Sequence, residues 1–381
     1  MLINLRNALM AGKRLPYDAE VEYLESTGTQ WIDTGVPCGG DTTFDLSVYA
    51  QVAGSMLFGA SQAYQTNGIY AFIGNNNALY ANYKNNEFLI LPSADSVNAW
   101  LSISKTSNTW KVNGSIVYTQ SPETFSSGET FALFCRKQNG KPLGMKSGVR
   151  FASCKLFNDN GVLVRDYIPV RKGTVGYLYD RVSGKLFGNA GTGDFVLGPD
   201  VVPVEYIEST GTQYINTGLK YFPDFDVSIE VPSGQRNATI YCDATHILER
   251  IGSSTPYWQI YAGDRLQSSV RVYGFHRVQF KASSLTIDGQ AIGTISNRTW
   301  ADGATCYIGF NGNNIYVYKL YGCQMWDINN NATRNYKPVR VGTGSTWEGA
   351  LMDVLTRRIY RNAGSGAFTY GNDLKYPIPA E

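Results

Sequence analysis

The chain has 381 residues, 43% of them hydrophobic and 17% charged, a globular balance that excludes disorder and leaves room for two ordinary domains. With 33 Lys and Arg against 31 Asp and Glu, a net of +2, bulk charge gives no reason to bind nucleic acid or an anionic membrane. The 40 Gly and 26 Tyr point to short strands and tight turns, while only two His, His246 and His276, rule out most His-based metal sites and weaken Ser/His/Asp catalysis.

In chain order, residues 1–20 form a leader. Leu2, Leu5 and Leu9 fall at helical spacing and predict a short amphipathic helix. A helix that short is marginal alone in water, so it is expected to dock on its own domain or on a neighbouring chain. Asn4, Arg6 and Asn7 interrupt the apolar stretch that a secretion signal needs, and no run is long enough to cross a membrane as a helix.

The decisive feature comes next. Residues 21–35 read VEYLESTGTQWIDTG and residues 204–218 read VEYIESTGTQYINTG, identical at twelve of fifteen positions at an offset of 183. Arg165–Arg171 (RDYIPVR) matches Arg334–Arg340 (RNYKPVR) at offset 169, and Phe187–Phe195 matches Tyr360–Phe368 at offset 173. The middles match weakly: Trp110–Gly114 lies against Leu285–Gly289. Changing offsets mean insertions in loops between framework strands. The chain thus reads as a leader (1–20), a first repeat (21–198), a Pro-stiffened linker (199–203), a second repeat (204–373) and a tail (374–381). The short linker predicts a nearly fixed relation between the repeats.

Within each repeat, apolar and polar residues alternate. Phe44, Leu46 and Val48 alternate with Asp45 and Ser47, Leu101 and Ile103 with Ser102 and Ser104, Val227 and Ile229 with Asp226 and Ser228, Tyr316 and Tyr318 with Val317 and Lys319. Period two predicts half-buried strands. Asn113-Gly114, Asn139-Gly140, Asn160-Gly161, Asp288-Gly289 and Asn311-Gly312 predict type I′ hairpin turns. A hairpin over Tyr179–Phe187, a glycine-rich loop and a last short strand at Phe195–Leu197 should bring the closing motif back to the opening one. About a dozen strands per repeat then fold as a two-sheet antiparallel sandwich. Trp31, Trp100, Trp110 and Tyr214 are read as core. The six cysteines, Cys38, Cys135, Cys154, Cys242, Cys306 and Cys323, show no zinc spacing and read as free buried thiols.

Chemistry is sparse. Glu20, Glu22 and Glu25 form ExExxE, close to a glycosidase carboxylate pattern, but Pro203 replaces the first Glu in the second repeat. On a regular strand Glu22 and Glu25 face opposite sides, so catalysis is not expected. Gly191-Thr192-Gly193 has no following helix to make a phosphate site. Asp33, Asp41, Asp45 and Asp180 could offer calcium oxygens, yet turn capping explains them better, and neither metal nor cofactor is expected. The binding candidates are aromatic, because sugars stack on ring faces: Tyr64, Tyr70, Tyr80 and Tyr83 in the first repeat, and Tyr257, Trp258 and Tyr261 in the second. Asn75–Asn77 and Asn85-Asn86 add amides nearby. Because the middles diverge, one repeat is expected to serve recognition and the other structure.

The opening EYLESTGTQWIDTG, the WKVNG hairpin, RDYIPVR and the closing LYDRVSGKLFGNAGTGDF resemble the LamG-like, concanavalin A-like jelly-roll modules found in gut bacteria and their bacteriophages. The resemblance implies a β-jelly roll and a role in glycan binding, adhesion or virion structure. It implies a phage fibre, spike or decoration subunit that oligomerises or docks on other virion proteins through its leader; the alternative is a bacterial surface adhesin or lectin-like module. It transfers no binding residue, since the calcium-ligating Asp pattern of laminin G modules is not evident.

Overall fold

A computed structural model describes residues 15–106, 108–232, 237–251, 257–268, 274–301 and 303–374. Leu2, Leu5 and Leu9 lie outside the described residues, and with them the predicted leader helix. The chain is all-β, with antiparallel sheets and a single short 3₁₀ turn at Ser93–Asp95 among the described residues. It divides into two compact units, one of Met1–Asp200 with Thr356–Arg358, the other of Val201–Leu355 with Ile359–Glu381. The predicted linker contains a strand of its own, Asp200–Pro203.

Each unit is an antiparallel sandwich. In the first, one sheet runs through Ser115–Thr119, Thr109–Val112, Trp100–Lys105, Thr43–Ala50 and Ser147–Phe157. Beyond Ser147–Phe157 it forks, with Leu24–Thr27 along one half and Leu163–Lys172 along the other. The facing sheet runs Ile32–Gly39, Ser126–Leu133, Met56–Ala63, Thr66–Ile73, Leu79–Lys84 and Asn86–Leu91. Between them lie Phe44, Phe58, Trp110 and Phe131, with ring centroids 5.0–5.6 Å apart, together with the alternate aliphatic residues that the period-two pattern selects. The second unit repeats this plan. Its first sheet includes Gly274–Lys281, Asp224–Val231 and Val317–Trp326. Its second runs Ile215–Asn216, Tyr307–Ile308, Asn237–Asp243, His246–Ile251, Tyr257–Ala262 and Asp264–Gln267.

The repeated motifs are the closures. Val196–Leu197 pairs with Leu24–Thr27 in the first unit, and Thr369–Tyr370 with Ile207–Thr210 in the second. The Asn189 side-chain oxygen accepts the Trp31 and Gly191 amides at 3.1 and 2.8 Å, and Asn362 does the same for Tyr214 and Gly364 at 3.0 and 2.8 Å. A Cβ at Gly191 would sit 1.9 Å from the Thr29 carbonyl oxygen and one at Gly364 would sit 2.2 Å from that of Thr212, so only glycine lets the loop close down. Arg165 Nε and the Tyr167 hydroxyl both reach the Thr34 carbonyl at 3.3 Å, and Arg334 and Tyr336 reach Thr217 in the same way.

Two details differ from the sequence expectation. Asn113-Gly114, Asn139-Gly140 and Asp288-Gly289 take the paired positive φ of a type I′ turn, but Asn160 and Asn311 do not. There, side chains cap wider loops: Asn158 accepts the Asn160 and Val162 amides, and Asn311 accepts those of Asn313 and Asn314. Trp31 and Trp110 are core, but Trp100 and Tyr214 are half-buried. Trp100 instead packs beside Tyr23 and Tyr49 on the outer face of the first sheet. All six cysteines are free and buried. Burial pushes the Cys38 thiol up to about 11.

One buried charge stands out. The Lys105 ammonium donates to the Gly40 and Thr42 carbonyls at 3.1 and 2.9 Å and lies 5.1 Å from the Tyr83 ring centre. Burial lowers its pKa from 10.5 to about 8. Below that value both folded and unfolded chains carry the proton. Between pH 8 and 10.5 the unfolded chain holds it and the folded chain has released it, so this residue makes stability rise with pH. The prediction is that the stability of the wild type minus that of Lys105→Met climbs by up to about 3 kcal/mol across that window. Urea denaturation at stepped pH measures it; a difference flat with pH would refute the buried-cation account.

Candidate functional site

The predicted binding aromatics divide by face. Tyr83 and Trp258 point into the cores, so both leave the candidate set. The reason is parity: each sits at an inward position of a strand whose outward neighbours are the other candidates. Tyr83 is fixed there, its hydroxyl accepting the Glu123 amide at 2.8 Å and donating to the Glu123 carbonyl at 3.1 Å. Tyr257 and Tyr261 are half-buried on the outer face of the second unit's sheet. Tyr64, Tyr70 and Tyr80 share the outer face of the first unit's facing sheet, or the turn at its end.

That outer face is built around Tyr70. Strand pairing lays out a rung of directly opposed residues, Gly59–Tyr70–Asn82–Glu87. Tyr70 is fully buried although it faces away from the core. Its ring lies down on the sheet, because a Cβ at Gly59 would come within 2.6 Å of the Tyr70 Cβ, and one at Gly68 within 3.1 Å of its ring. Above it comes Arg136, from the short strand Arg136–Gln138, its guanidinium carbon 4.8 Å from the Tyr70 ring centre and 5.5 Å from that of Tyr64. Tyr64, on the turn after Met56–Ala63, is 61% exposed and forms the outer surface of this stack. One step along the sheet, Phe72 and Tyr80 stack with ring centroids 5.5 Å apart.

The polar atoms of this stack are under-used. Tyr70 Oη, Asn82 Oδ1, Glu87 Oε2 and Arg136 Nε and Nη1 are buried without a well-formed hydrogen bond in the chain, the Tyr70 hydroxyl lying near the Arg136 guanidinium and the Gln65 backbone. Asn82 Nδ2, in contrast, is held by the Gly68 and Lys84 carbonyls at 3.0 and 3.1 Å, so the side chain cannot turn to find a partner for its oxygen. Burial raises the Tyr70 pKa, with the nearby Arg136 charge pulling the other way, so the phenol stays protonated and able to donate. Buried polar atoms are normally satisfied. A cluster holding donors and acceptors together beneath an exposed ring is arranged for water and for hydroxyl groups. A shallow polar depression lined by Gln62, Ser126, Ser127, Glu129 and Asn139 opens at the same end of the sheet.

Sequence reasoning missed Arg136, Asn82 and Glu87. Asn82 and Glu87 had a signal: the first lies two residues from Tyr80 on one strand, and the second across a tight hairpin. Arg136 had none, because it enters on a separate short strand after a bend at Phe134, where φ is 69°. Of the asparagines singled out, Asn76 and Asn85 are turn residues: Asn76 caps the Ala78 amide and donates to Tyr80 Oη, and Asn85 accepts the Asn67 amide.

The other candidates are committed elsewhere. Glu25 is ion-paired with Arg150 at 2.5 Å, and Glu20 and Glu22 are buried. Asp33 takes the Gly35 amide, the Thr130 hydroxyl and the Lys137 ammonium; burial pushes its carboxyl up, but these partners hold it below the usual range. Asp180 caps the Val182–Ser183 turn. Among the described residues no group of three or more His, Cys, Asp or Glu is placed to hold a metal ion, and no helix is long and apolar enough to cross a membrane. His246 bridges Asp243 at 2.9 Å and the Thr299 hydroxyl at 2.7 Å, the order of a nucleophilic triad. Asp243 also takes the Thr245 amide and hydroxyl, and the Thr299 amide bonds the Ala262 carbonyl, so the three side chains cross-link a turn.

No family model matches the chain, and no curated protein does. Solved structures do. Laminin α1 domains LG4–5 of mouse align at 12% identity and TM-score 0.29 over 85% of this chain and 93% of that one. The LG1–3 region of laminin α2 aligns at 6% and 0.29 over 93% and 66%. A Bacteroides ovatus ATCC 8483 protein, described provisionally as carbohydrate-binding, aligns at 11% and 0.31 over 96% of each. At these TM-scores they stand as likenesses alone, and the fold class rests on the chain's own strand pairing.

The two buried tyrosines give a contrast. Tyr70→Phe removes a hydroxyl that makes no well-formed hydrogen bond and should leave stability unchanged or slightly raised. Tyr83→Phe removes hydrogen bonds and should cost about 1–2 kcal/mol. Denaturant unfolding of both variants measures this; equal losses would show that the Tyr70 hydroxyl is satisfied in solution.

Proposed function

We propose that this chain is a non-catalytic carbohydrate-binding protein, and that its site is the outer face of the first unit's facing sheet. The observation that carries the reading is the unmatched cluster of Tyr70, Asn82, Glu87 and Arg136 beneath the exposed Tyr64 ring. Sugars bring an apolar ring face and hydroxyls that both donate and accept. Tyr64 offers the stacking surface, and the cluster offers both kinds of partner, directly at its rim or through ordered water. Arg136 and Glu87 have opposite signs, which favours neutral hydroxyls over an acidic group. The paired and buried states of Glu20, Glu22 and Glu25 support binding without hydrolysis.

A glycan array probed with the wild type should give signal on neutral oligosaccharides. Tyr64→Ala should weaken it by about ten- to a hundredfold, the worth of one stacked base-sized ring, and Arg136→Met should do so without loss of stability. Signal unchanged in both variants would refute the site.

Within this class, the motif resemblance supports placement on a bacteriophage particle, with assembly through residues 1–20; a bacterial surface is the alternative. Light scattering of the full chain and of a 15–381 chain, which keeps the buried Tyr17 and the strand Ala19–Val21, tests the assembly. The full chain should be oligomeric and the shortened one monomeric, and two identical masses would refute it.

A further inference from the structure

The second sheet of the second unit passes through two strands of only two residues each, Ile215–Asn216 and Tyr307–Ile308. Tyr307–Ile308 joins Ile215–Asn216 on one side to Asn237–Asp243 on the other. Its pairing with Asn237–Asp243 sets Ile308 opposite Ile240 and Tyr307 opposite Tyr241, so one step further Cys306 stands opposite Cys242. Both thiols face inward, in the core of the second unit. The Cys306 carbonyl accepts the Thr217 amide at 3.1 Å, and the Cys306 amide donates to the Leu219 carbonyl at 2.9 Å, both on the flank away from Cys242. Cys242 and Cys306 are therefore a non-hydrogen-bonded pair, the kind that brings opposed Cα atoms to about 4.5 Å.

That spacing lies inside the window of roughly 4.4–6.8 Å that a disulfide spans. Cys323, also in this core, cannot compete: it stands on Val317–Trp326 in the other sheet, and packed sheets lie about 10 Å apart. The first unit fills the same place differently. There Thr34 Oγ1 donates to the Phe131 carbonyl at 2.6 Å, as Thr217 Oγ1 donates to that of Cys306 at 2.7 Å, and the strand register carried one step on sets Phe131 opposite Ala60. A large ring beside a methyl group occupies the first core, and two thiols of equal size occupy the second. We infer that Cys242 and Cys306 form a disulfide when the chain folds in a thiol-oxidising environment, stapling the short strand Tyr307–Ile308 to the rest of its sheet.

In that step each sulfur gives up its hydrogen and one S–S bond forms between them. A low-molecular-weight disulfide, oxidised glutathione, takes up the two electrons and two protons as its own S–S bond breaks to give two thiols. Interaction with the Cys306 thiol, and then burial, pushes the Cys242 thiol up. The thiolate that attacks a disulfide is therefore scarce once the core has formed. The bond is made while the chain folds, and burial then shields it from reductants. The loop it closes holds the strands from His246–Ile251 to Gln290–Thr294. Constraining that loop in the unfolded chain is what stabilises the folded unit.

The experiment refolds the full chain from denaturant in a glutathione redox buffer and, separately, in excess dithiothreitol. The thiols are then alkylated and mapped by mass spectrometry without reduction. The oxidised chain should keep four of its six thiols and yield one linked peptide pair carrying Cys242 and Cys306. It should melt about 5–15 °C above its own reduced form. Cys242→Ala and Cys306→Ala should show no such gap; each protein is compared only with itself, so a variant's own folding cost drops out. Six free thiols in the oxidised chain, or Cys306 linked to Cys323 in place of Cys242, would overturn the pairing. A bridge that leaves melting unchanged would overturn the staple. Where a variant fails to fold, the wild-type peptide map and melting gap decide alone.

Discussion

Each sandwich depends on one closure: an asparagine side chain in the last glycine-rich loop accepts the amide that follows the opening STGTQ turn. Asn189 does this for Trp31 and Asn362 for Tyr214. The contact joins residues about 150 positions apart, so it fixes the ends of the domain against each other. It also explains why glycine is required at 191 and 364, where a Cβ would collide with a carbonyl oxygen. With the ends pinned and the Thr34 or Thr217 carbonyl gripped by an Arg and a Tyr, the facing sheet can change its outer residues without unfastening the fold.

That freedom separates frame from function. The inner residues of the facing sheets stay apolar in both units, because each fills the space between two layers. The outer rung is under no such constraint. In the first unit one outer rung became a flat tyrosine, an amide and a carboxylate beneath a guanidinium from another strand; the matching rung of the second unit is Ile247, Tyr261 and Arg265. Holding buried donors and acceptors unmatched costs stability, and such a cost persists where a ligand recovers it.

The frame was legible in the sequence because its causes are local or repeated. Alternation placed Phe44, Leu46 and Val48 inward, and the duplicated motifs marked both closures. The site was legible only in part. Tyr64, Tyr70 and Tyr80 stood out as aromatics, but nothing short of the strand parity separated them from Tyr83 and Trp258. Arg136 was invisible, since a bend at Phe134 turns the chain into a new short strand that brings it over Tyr70. Trp100 was misplaced because a tryptophan that covers the outside of a sheet has the same alternation as one inside it, read from the other face.

The most direct measurement is a high-resolution crystal structure of the chain grown with a neutral oligosaccharide. The account predicts a pyranose face against the Tyr64 ring, with sugar or bridging-water oxygens about 2.7–3.2 Å from Arg136 Nε or Nη1, Asn82 Oδ1 and Glu87 Oε2. A sugar bound on another face of the first unit, with those atoms paired to one another, would contradict it.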